Sequence, residues 1–138
     1  MKDELNQKFE RVMLIDDNII DLYIASRIIV KNNFGQEVMK YSNAQDALQF
    51  LQDNHDKIST LPQIIFVDIY MPLMSGFEFL EAYNHLPPNV KRHCQIFVIS
   101  STIDDLDIAR ANKDENVVRF QVKPINKTFL DRIAFVNT

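Results

Sequence analysis

Four apolar runs in this sequence each end on a side chain that could take part in chemistry. The runs finish at Asp16-Asp17, Asp68, Ser100 and Lys123. Taken singly, each of these side chains has an ordinary structural explanation, as a helix cap, a local hydrogen-bonding group or a solvated charge. Together they would supply three carboxylates, a hydroxyl and an ammonium group, a set suited to binding a metal ion and an anionic group.

Three carboxylates in one cleft repel one another. Two unit charges ~4 Å apart cost roughly 1 kcal/mol in water and several times that in a less polar cleft. A divalent hard cation removes this repulsion, and Mg²⁺ suits such a site because it binds a few carboxylates while keeping several waters. The sequence therefore predicts Mg²⁺ as the cofactor, with Mn²⁺ as an alternative. The Lys123 ammonium and the Ser100 hydroxyl would serve further oxygens of an incoming phosphoryl group.

One of the carboxylates would act as a nucleophile and form an acyl phosphate. Asp68 is the candidate, because it stands alone after its apolar run. Asp16 and Asp17 are adjacent and better suited to the metal ion. The predicted chemistry is phosphoryl transfer, in which catalysis consists of positioning and charge neutralisation.

This chemistry requires a fold that brings the ends of the apolar runs to one edge. The runs predict five strands, near residues 11–15, 37–41, 64–67, 95–99 and 117–122. Helical spacing predicts a helix after each strand, beginning near Ile19, Asn43, Gly76, Asp104 and Asn126. The alternation indicates an α/β fold with a doubly wound, parallel five-stranded sheet. The flavodoxin-like strand order 2-1-3-4-5 places the candidate residues around one crevice.

Length and composition fit one domain with a sizeable core. The chain has 138 residues, of which 46% are hydrophobic, and no apolar run of membrane-spanning length. A formal net charge of −4 argues against a nucleic-acid partner. The single cysteine, Cys94, excludes an internal disulfide and fits a reducing cytoplasm. We expect residues 1–10 to be a polar lead-in and residues 11–138 to form the domain, without an output domain.

The motifs, taken in order, resemble the receiver domain of two-component response regulators, a CheY-like fold. The resemblance covers roughly residues 11–136, and the ordered set of motifs is specific although no single motif is. The matching segments are Leu14-Ile15-Asp16-Asp17-Asn18, Val67-Asp68-Ile69-Tyr70-Met71-Pro72 with Ser75-Gly76-Phe77-Glu78-Phe79-Leu80, Ile99-Ser100-Ser101, and Phe120-Gln121-Val122-Lys123-Pro124.

The resemblance implies roles for individual residues. Asp68 would accept a phosphoryl group from a histidine kinase or a histidine phosphotransfer protein. Mg²⁺ would be bound directly by Asp17 and Asp68, largely through water by Asp16, and by the main-chain carbonyl of Tyr70. The peptide bond before Pro124 is commonly cis in this family, and cis bonds are essentially a proline phenomenon.

The family also contains a switch, which the resemblance places at Ser100 and Phe120. Ser100 would move toward the phosphoryl group, and Phe120 would turn into the space that it leaves. The surface formed by the fourth helix, the fifth strand and the fifth helix would then change and select an unidentified protein partner. The same surface is a candidate homodimer interface. The switch is a population shift between two packings, biased by the charge of the phosphate.

Tyr70 lies two residues after the acceptor, where side chains of this family face the phosphoryl group. We expect the bulk of Tyr70 to slow attack by water and to lengthen the phosphorylated state.

The function predicted from the sequence is that of a stand-alone cytoplasmic receiver, which catalyses only its own phosphorylation and dephosphorylation. One alternative is a pseudo-receiver, an interaction module that is not phosphorylated; the presence of all five expected residue types argues against it. A second alternative is a small metal-dependent phosphatase with an Asp nucleophile. That class usually places a second acid two residues after its nucleophile, where this chain has Tyr70.

Overall fold

The five apolar runs form the strands of one parallel sheet in the computed structural model, which describes residues 8–134. The buried, β-branched character of these runs suits strands that are covered on both faces. The strands are β1 (Phe9–Ile15), β2 (Gly35–Tyr41), β3 (Ile64–Val67), β4 (Gln95–Ser100) and β5 (Val117–Val122).

Helices occupy the connections between the strands. Asn43 and Asn126 are the capping residues that the sequence predicts, and Asn18 caps α1 in the same way. The side chain of each accepts a hydrogen bond from the backbone N–H three residues later. The helices are α1 (Ile19–Lys31), α2 (Ala44–Asp53), α3 (Gly76–Tyr83), α4 (Pro88–His93), α5 (Asp105–Lys113) and α6 (Lys127–Asp131), with a single 3₁₀ turn at Ile58–Thr60.

The strand order is β2-β1-β3-β4-β5, and every neighbouring pair is parallel. The predicted flavodoxin-like order is therefore confirmed. The register aligns Ile15 at the end of β1 with Val67 at the end of β3. Because parallel strands end at the same edge, the residues that follow β1 and β3 lie side by side.

Two hydrophobic clusters fill the space on the two faces of the sheet. Alternate residues of β1 divide between them, with Val12 and Leu14 on one face and Met13 and Ile15 on the other. One cluster is covered by α1 and α6, and the other by α2, α3, α4 and α5. All four residues of β3 are buried, because both faces of this central strand are covered.

The structure adds one helix to the predicted five in the part of the chain between residues 8 and 134. Pro87-Pro88 predicts only the end of the third helix, but in the structure Pro88 also begins the short helix α4. Proline is well suited to a first helical position, since its missing N–H has no partner there. The predicted fourth and fifth helices are consequently α5 and α6.

The first strand begins earlier, and the last helix ends earlier, than the sequence predicts. β1 begins at Phe9, which is 3% exposed, so Phe9 and Glu10 belong to the sheet rather than to the lead-in. Residues 1–7 of the lead-in lie outside the described residues. In the sequence, the spacing of Phe129, Leu130, Ile133 and Ala134 predicts that the last helix reaches Ala134, but α6 ends at Asp131. No helix between residues 8 and 134 combines the length and the apolar character needed to cross a membrane.

Candidate functional site

The ends of β1 and β3 hold two of the predicted carboxylates next to each other. The backbone N–H of Asp68 donates to the carbonyl of Ile15 at 3.0 Å, which ties the first residue after β3 to the last residue of β1. The backbone N–H of Asp16 donates to the carbonyl of Tyr41 on the other side of β1. The hydrogen bonds of the sheet therefore fix both positions.

Asp16, Asp17 and Asp68 form the acidic cluster that the sequence predicts. One carboxylate oxygen from each residue lies within 4.8 Å of the others. Asp16 and Asp68 are both 8% exposed, whereas Asp17 is open to solvent. Oxygen ligands with one open side suit Mg²⁺ or Mn²⁺, which retain water molecules when protein carboxylates bind them. The residues present therefore fit the predicted metal ion.

Burial of the acceptor candidate has an electrostatic consequence. Burial raises the pKa of Asp68; the positive charge of Lys123 opposes this shift, and the negative charge of Asp16 adds to it. The backbone N–H of Ile69 donates to Asp68 Oδ1 at 2.8 Å and stabilises the ionised form. A charged Asp68 is thus destabilised in the metal-free protein, and a bound cation would remove that penalty.

Lys123 is the cation that the structure places among these acids. Its Nζ lies 2.6 Å from Asp16 Oδ2, 2.8 Å from Asp21 Oδ2 and 3.3 Å from Asp68 Oδ2. Burial alone lowers the pKa of Lys123, but the hydrogen bonds to Asp16 and Asp21 outweigh it, so the pKa lies above its usual value. The peptide bond between Lys123 and Pro124 is cis. Lys123 is therefore a permanent positive charge in the site.

Asp21 is the site residue that sequence reasoning missed. It lies in the first turn of α1, and its backbone N–H donates to the side chain of Asn18, the helix cap. In the sequence, this helix is interpreted only through the spacing of its apolar residues. One feature of the sequence could have identified Asp21 as a site residue. It is a third acid only a few positions after Asp16 and Asp17, at the start of the predicted helix.

Ser100 lies at the end of β4 and is 1% exposed. Its carbonyl accepts a hydrogen bond from the backbone N–H of Lys123 at 2.9 Å, so the backbones of the two residues are adjacent. Its hydroxyl accepts a hydrogen bond from the backbone N–H of Thr102 at 3.3 Å. The structure thus brings Ser100 to the same edge as Lys123, with its hydroxyl directed to the loop that precedes α5.

Phe120 and Tyr70 lie outside the acidic cluster. Phe120 is half-buried against the core cluster under α2–α5, and its backbone N–H donates to Asn112 Oδ1 at 2.9 Å. The side chain of Tyr70 is mostly exposed, and its hydroxyl donates to Asp107 Oδ2 on α5. The hydroxyl of Thr102 donates to the same oxygen at 3.2 Å. Tyr70 therefore bridges the loop after β3 to the first turn of α5.

A family model described as the response regulator receiver domain matches residues 12–134. Among solved structures, a two component response regulator from Cytophaga hutchinsonii is 26% identical, with a TM-score of 0.83 over 90% of this chain and 92% of that chain. A response regulator receiver protein from Dyadobacter fermentans DSM 18053 is 29% identical, with a TM-score of 0.79 over 88% of this chain and 91% of that chain.

The chain is also similar to part of a longer curated protein, the 3',5'-cyclic-nucleotide phosphodiesterase regA of Dictyostelium discoideum. The two are 25% identical over 130 residues, which is 94% of this chain and 15% of that protein. The chain spans less than half of the length of the curated relatives that it matches. The similarity therefore concerns only part of each relative.

Proposed function

This chain belongs to the response regulator receiver domain family of two-component signalling, and we propose that it is phosphorylated on Asp68 in a Mg²⁺-dependent reaction. Receiver domains bind Mg²⁺ or Mn²⁺ at an acidic pocket. The observation that carries the proposal is the convergence of three carboxylates and one ammonium group at a single sheet edge. These are the groups that phosphoryl transfer to a carboxylate requires.

In the proposed reaction, a carboxylate oxygen of Asp68 attacks the phosphorus atom of the donor. The bond from phosphorus to the donor's histidine nitrogen breaks, and its electron pair remains on that nitrogen. The product is an acyl phosphate on Asp68. Lys123, 3.3 Å from Asp68 Oδ2, would pair with a phosphoryl oxygen. A metal ion held by Asp16, Asp17 and Asp68 would supply additional charge neutralisation.

Receiver domains interact with histidine kinases and with downstream partners. We propose that a histidine kinase or a histidine phosphotransfer protein supplies the phosphoryl group to this chain. The proposed downstream surface is formed by α5, β5 and α6, with Ser100 and Phe120 as the switch. Its support is a set of exposed apolar side chains on and beside α5 and β5: Ile103, Leu106, Val118 and Val122. The partner would be a protein that covers these side chains.

The first test is intact-mass spectrometry after incubation with Mg²⁺ and acetyl phosphate. We expect one phosphoryl group on the native protein and on Asp46→Asn, and none on Asp68→Asn. Asp46 is a suitable control because it is an exposed acid in the first turn of α2 and does not belong to the acidic cluster. No adduct should form when a chelator removes Mg²⁺ before acetyl phosphate is added.

Other outcomes would reject the proposal in distinct ways. No adduct on the native protein, together with no Mg²⁺ binding by calorimetry, would support a pseudo-receiver. An adduct that persists in Asp68→Asn would show that another residue is the acceptor. Multiple turnover of phosphate esters would support the phosphatase alternative.

A further inference from the structure

The carboxylate of Asp21 shares Lys123 with the proposed acceptor, although it belongs to a helix and not to a strand end. Asp21 Oδ2 is 2.8 Å from Lys123 Nζ, closer than Asp68 Oδ2 at 3.3 Å. The side chain of Asp21 is 37% exposed, and that of Lys123 is 17% exposed. An ion pair at this degree of burial is screened less by salt than a surface pair.

The position of Asp21 is set by the capped start of α1. Its N–H donates to Asn18 Oδ1 at 3.0 Å, and the next N–H, that of Leu22, donates to the carbonyl of Asn18. Leu22 and Ile29 anchor the helix in the core. Asp21 is therefore a fixed partner for the flexible side chain of Lys123.

Asp21 differs from the other two partners of Lys123 in its relation to the metal site. Asp16 and Asp68 belong to the acidic cluster, and Asp21 is not a member of it. A cation bound by the cluster would neutralise Asp16 and Asp68, so their attraction for Lys123 would weaken. The attraction of Asp21 would then dominate and hold the ammonium group on the α1 side of the site.

We propose that Asp21 is a positioning residue that restrains Lys123 and thereby slows phosphorylation of Asp68. To pair with an oxygen of the incoming phosphoryl group, the ammonium group must give up part of its interaction with Asp21. The negative charge of Asp21 also opposes the approach of an anionic donor. The inference rests on the proposed function, because it concerns the rate of the same reaction.

The test measures the rate constant of phosphorylation by acetyl phosphate at saturating Mg²⁺ for matched variants. We expect Asp21→Asn to react about five- to tenfold faster than the native protein, as removal of a charge in a partly screened site predicts. Asp21→Glu, which restores the charge, should react at close to the native rate. Asp46→Asn is the matched control, because Asp46 has the same position after the capping residue Asn43.

A second measurement follows Lys123 directly. NMR of the lysine ammonium groups should show greater mobility of Lys123 Nζ in Asp21→Asn and no change in Asp46→Asn. If Asp21 acted only as a first-turn acid of α1, Asp21→Asn would lower the thermal midpoint, as Asp46→Asn would for α2, and the Lys123 signal would be unaffected.

Equal or lower rates for Asp21→Asn than for the native protein would overturn the inference, as would an unchanged Lys123 signal. In either case the proposed function would stand, since the native protein would still be phosphorylated. Absence of an adduct on every variant, native protein included, would overturn the proposed function itself and the inference with it.

Discussion

Tyr70 is close to the proposed acceptor along the chain, but its side chain contacts a different element of the fold. It lies two residues after Asp68, yet its hydroxyl contacts Asp107 on α5. Asp107 also accepts from Thr102, whose backbone N–H donates to the Ser100 hydroxyl. A short series of polar contacts thus connects the switch candidate to a side chain beside the acceptor. The contact with Asp107 limits the directions in which the Tyr70 ring can swing.

We expect Tyr70→Asn to lose its phosphoryl group about fivefold faster than the native protein, equivalent to ~1 kcal/mol in the barrier. The reason is that the bulk of the ring hinders attack by water on the acyl phosphate. Tyr70→Phe is the matched variant, because it keeps the ring and removes only the contact with Asp107. Its rate should lie between those of the other two proteins.

The measurement is the decay of the phosphorylated species by intact mass after removal of the donor. An unchanged decay rate in Tyr70→Asn would contradict the shielding role. A Tyr70→Phe rate as high as that of Tyr70→Asn would assign the effect to the hydrogen bond rather than to the ring.

At the scale of elements, the start of α3 packs directly on the strand end that carries the acceptor. The backbone N–H of Gly76 donates to the carbonyl of Ile69 at 2.7 Å. A Cβ atom at Gly76 would lie 2.2 Å from the backbone oxygen of Asp68 and 2.9 Å from Cα of Ile69. From the sequence alone, Gly76 is predicted to be a flexible joint between the third strand and the helix that follows it. The structure shows that glycine is required there because two backbones approach closely.

We therefore expect Gly76→Ala to lower the free energy of unfolding by about 3 kcal/mol, because backbone atoms cannot move aside without distorting the end of β3. Gly35→Ala is the matched control. Its Cβ would meet Cγ2 of Val12 at 2.7 Å, a side-chain atom with more freedom to shift. Urea unfolding of both variants measures the difference, and a cost at Gly35 equal to or greater than that at Gly76 would contradict this account.

At the scale of the whole molecule, the burial of the charged Asp68 carboxylate opposes the stability of the fold that supports it. Two carboxylates are buried at the sheet edge, and Lys123 is the cation paired with both. Burial is the largest cause of the raised pKa of Asp68. The folded protein therefore favours the protonated carboxyl of Asp68 more than the unfolded chain does. The negative charges of Asp16 and Asp68 repel each other, and a bound metal ion would reduce this repulsion.

This linkage predicts a pH dependence of stability in buffer without divalent cations. The folded protein gains stability when Asp68 binds a proton, because its pKa is raised in the folded state. This contribution to stability is fully present below the ordinary carboxyl pKa of about 4 and is lost as the pH rises through the raised folded-state pKa. Asp68→Asn should therefore unfold at a higher temperature than the native protein at pH 7. The difference should shrink as the pH falls toward about 4, where the native carboxyl is protonated.

Thermal unfolding followed by circular dichroism across this pH range tests the prediction. Mg²⁺ at pH 7 should stabilise the native protein more than Asp68→Asn, because ligand binding to the folded state adds stability by mass action. If Asp68→Asn were less stable than the native protein at pH 7 without Mg²⁺, the stabilisation of the Asp68 carboxylate by Lys123 would outweigh the cost of its burial.

Much of the architecture could be predicted from the sequence because its causes are local. The spacing of apolar residues predicted a helix from about Ile19 to Lys31, and α1 has these bounds. The uninterrupted apolar run at Ile64–Val67 predicted a central strand buried on both faces, as β3 is. The convergence of Asp16, Asp68 and Lys123 also followed, since the carboxyl ends of parallel strands meet at one edge.

Tertiary structure alone decided the features that depend on atoms far apart in the chain. The pairing of Asp21 with Lys123 requires a helix start and a strand end, separated by 102 positions, to meet within 2.8 Å. The contact of Tyr70 with Asp107 and the close approach at Gly76 likewise depend on how α5 and α3 pack against the sheet. Periodicity specifies which face of an element is buried. It does not specify the angle and the distance at which two elements pack, because long-range contacts set them. That packing geometry decides which groups each side chain at this sheet edge can reach.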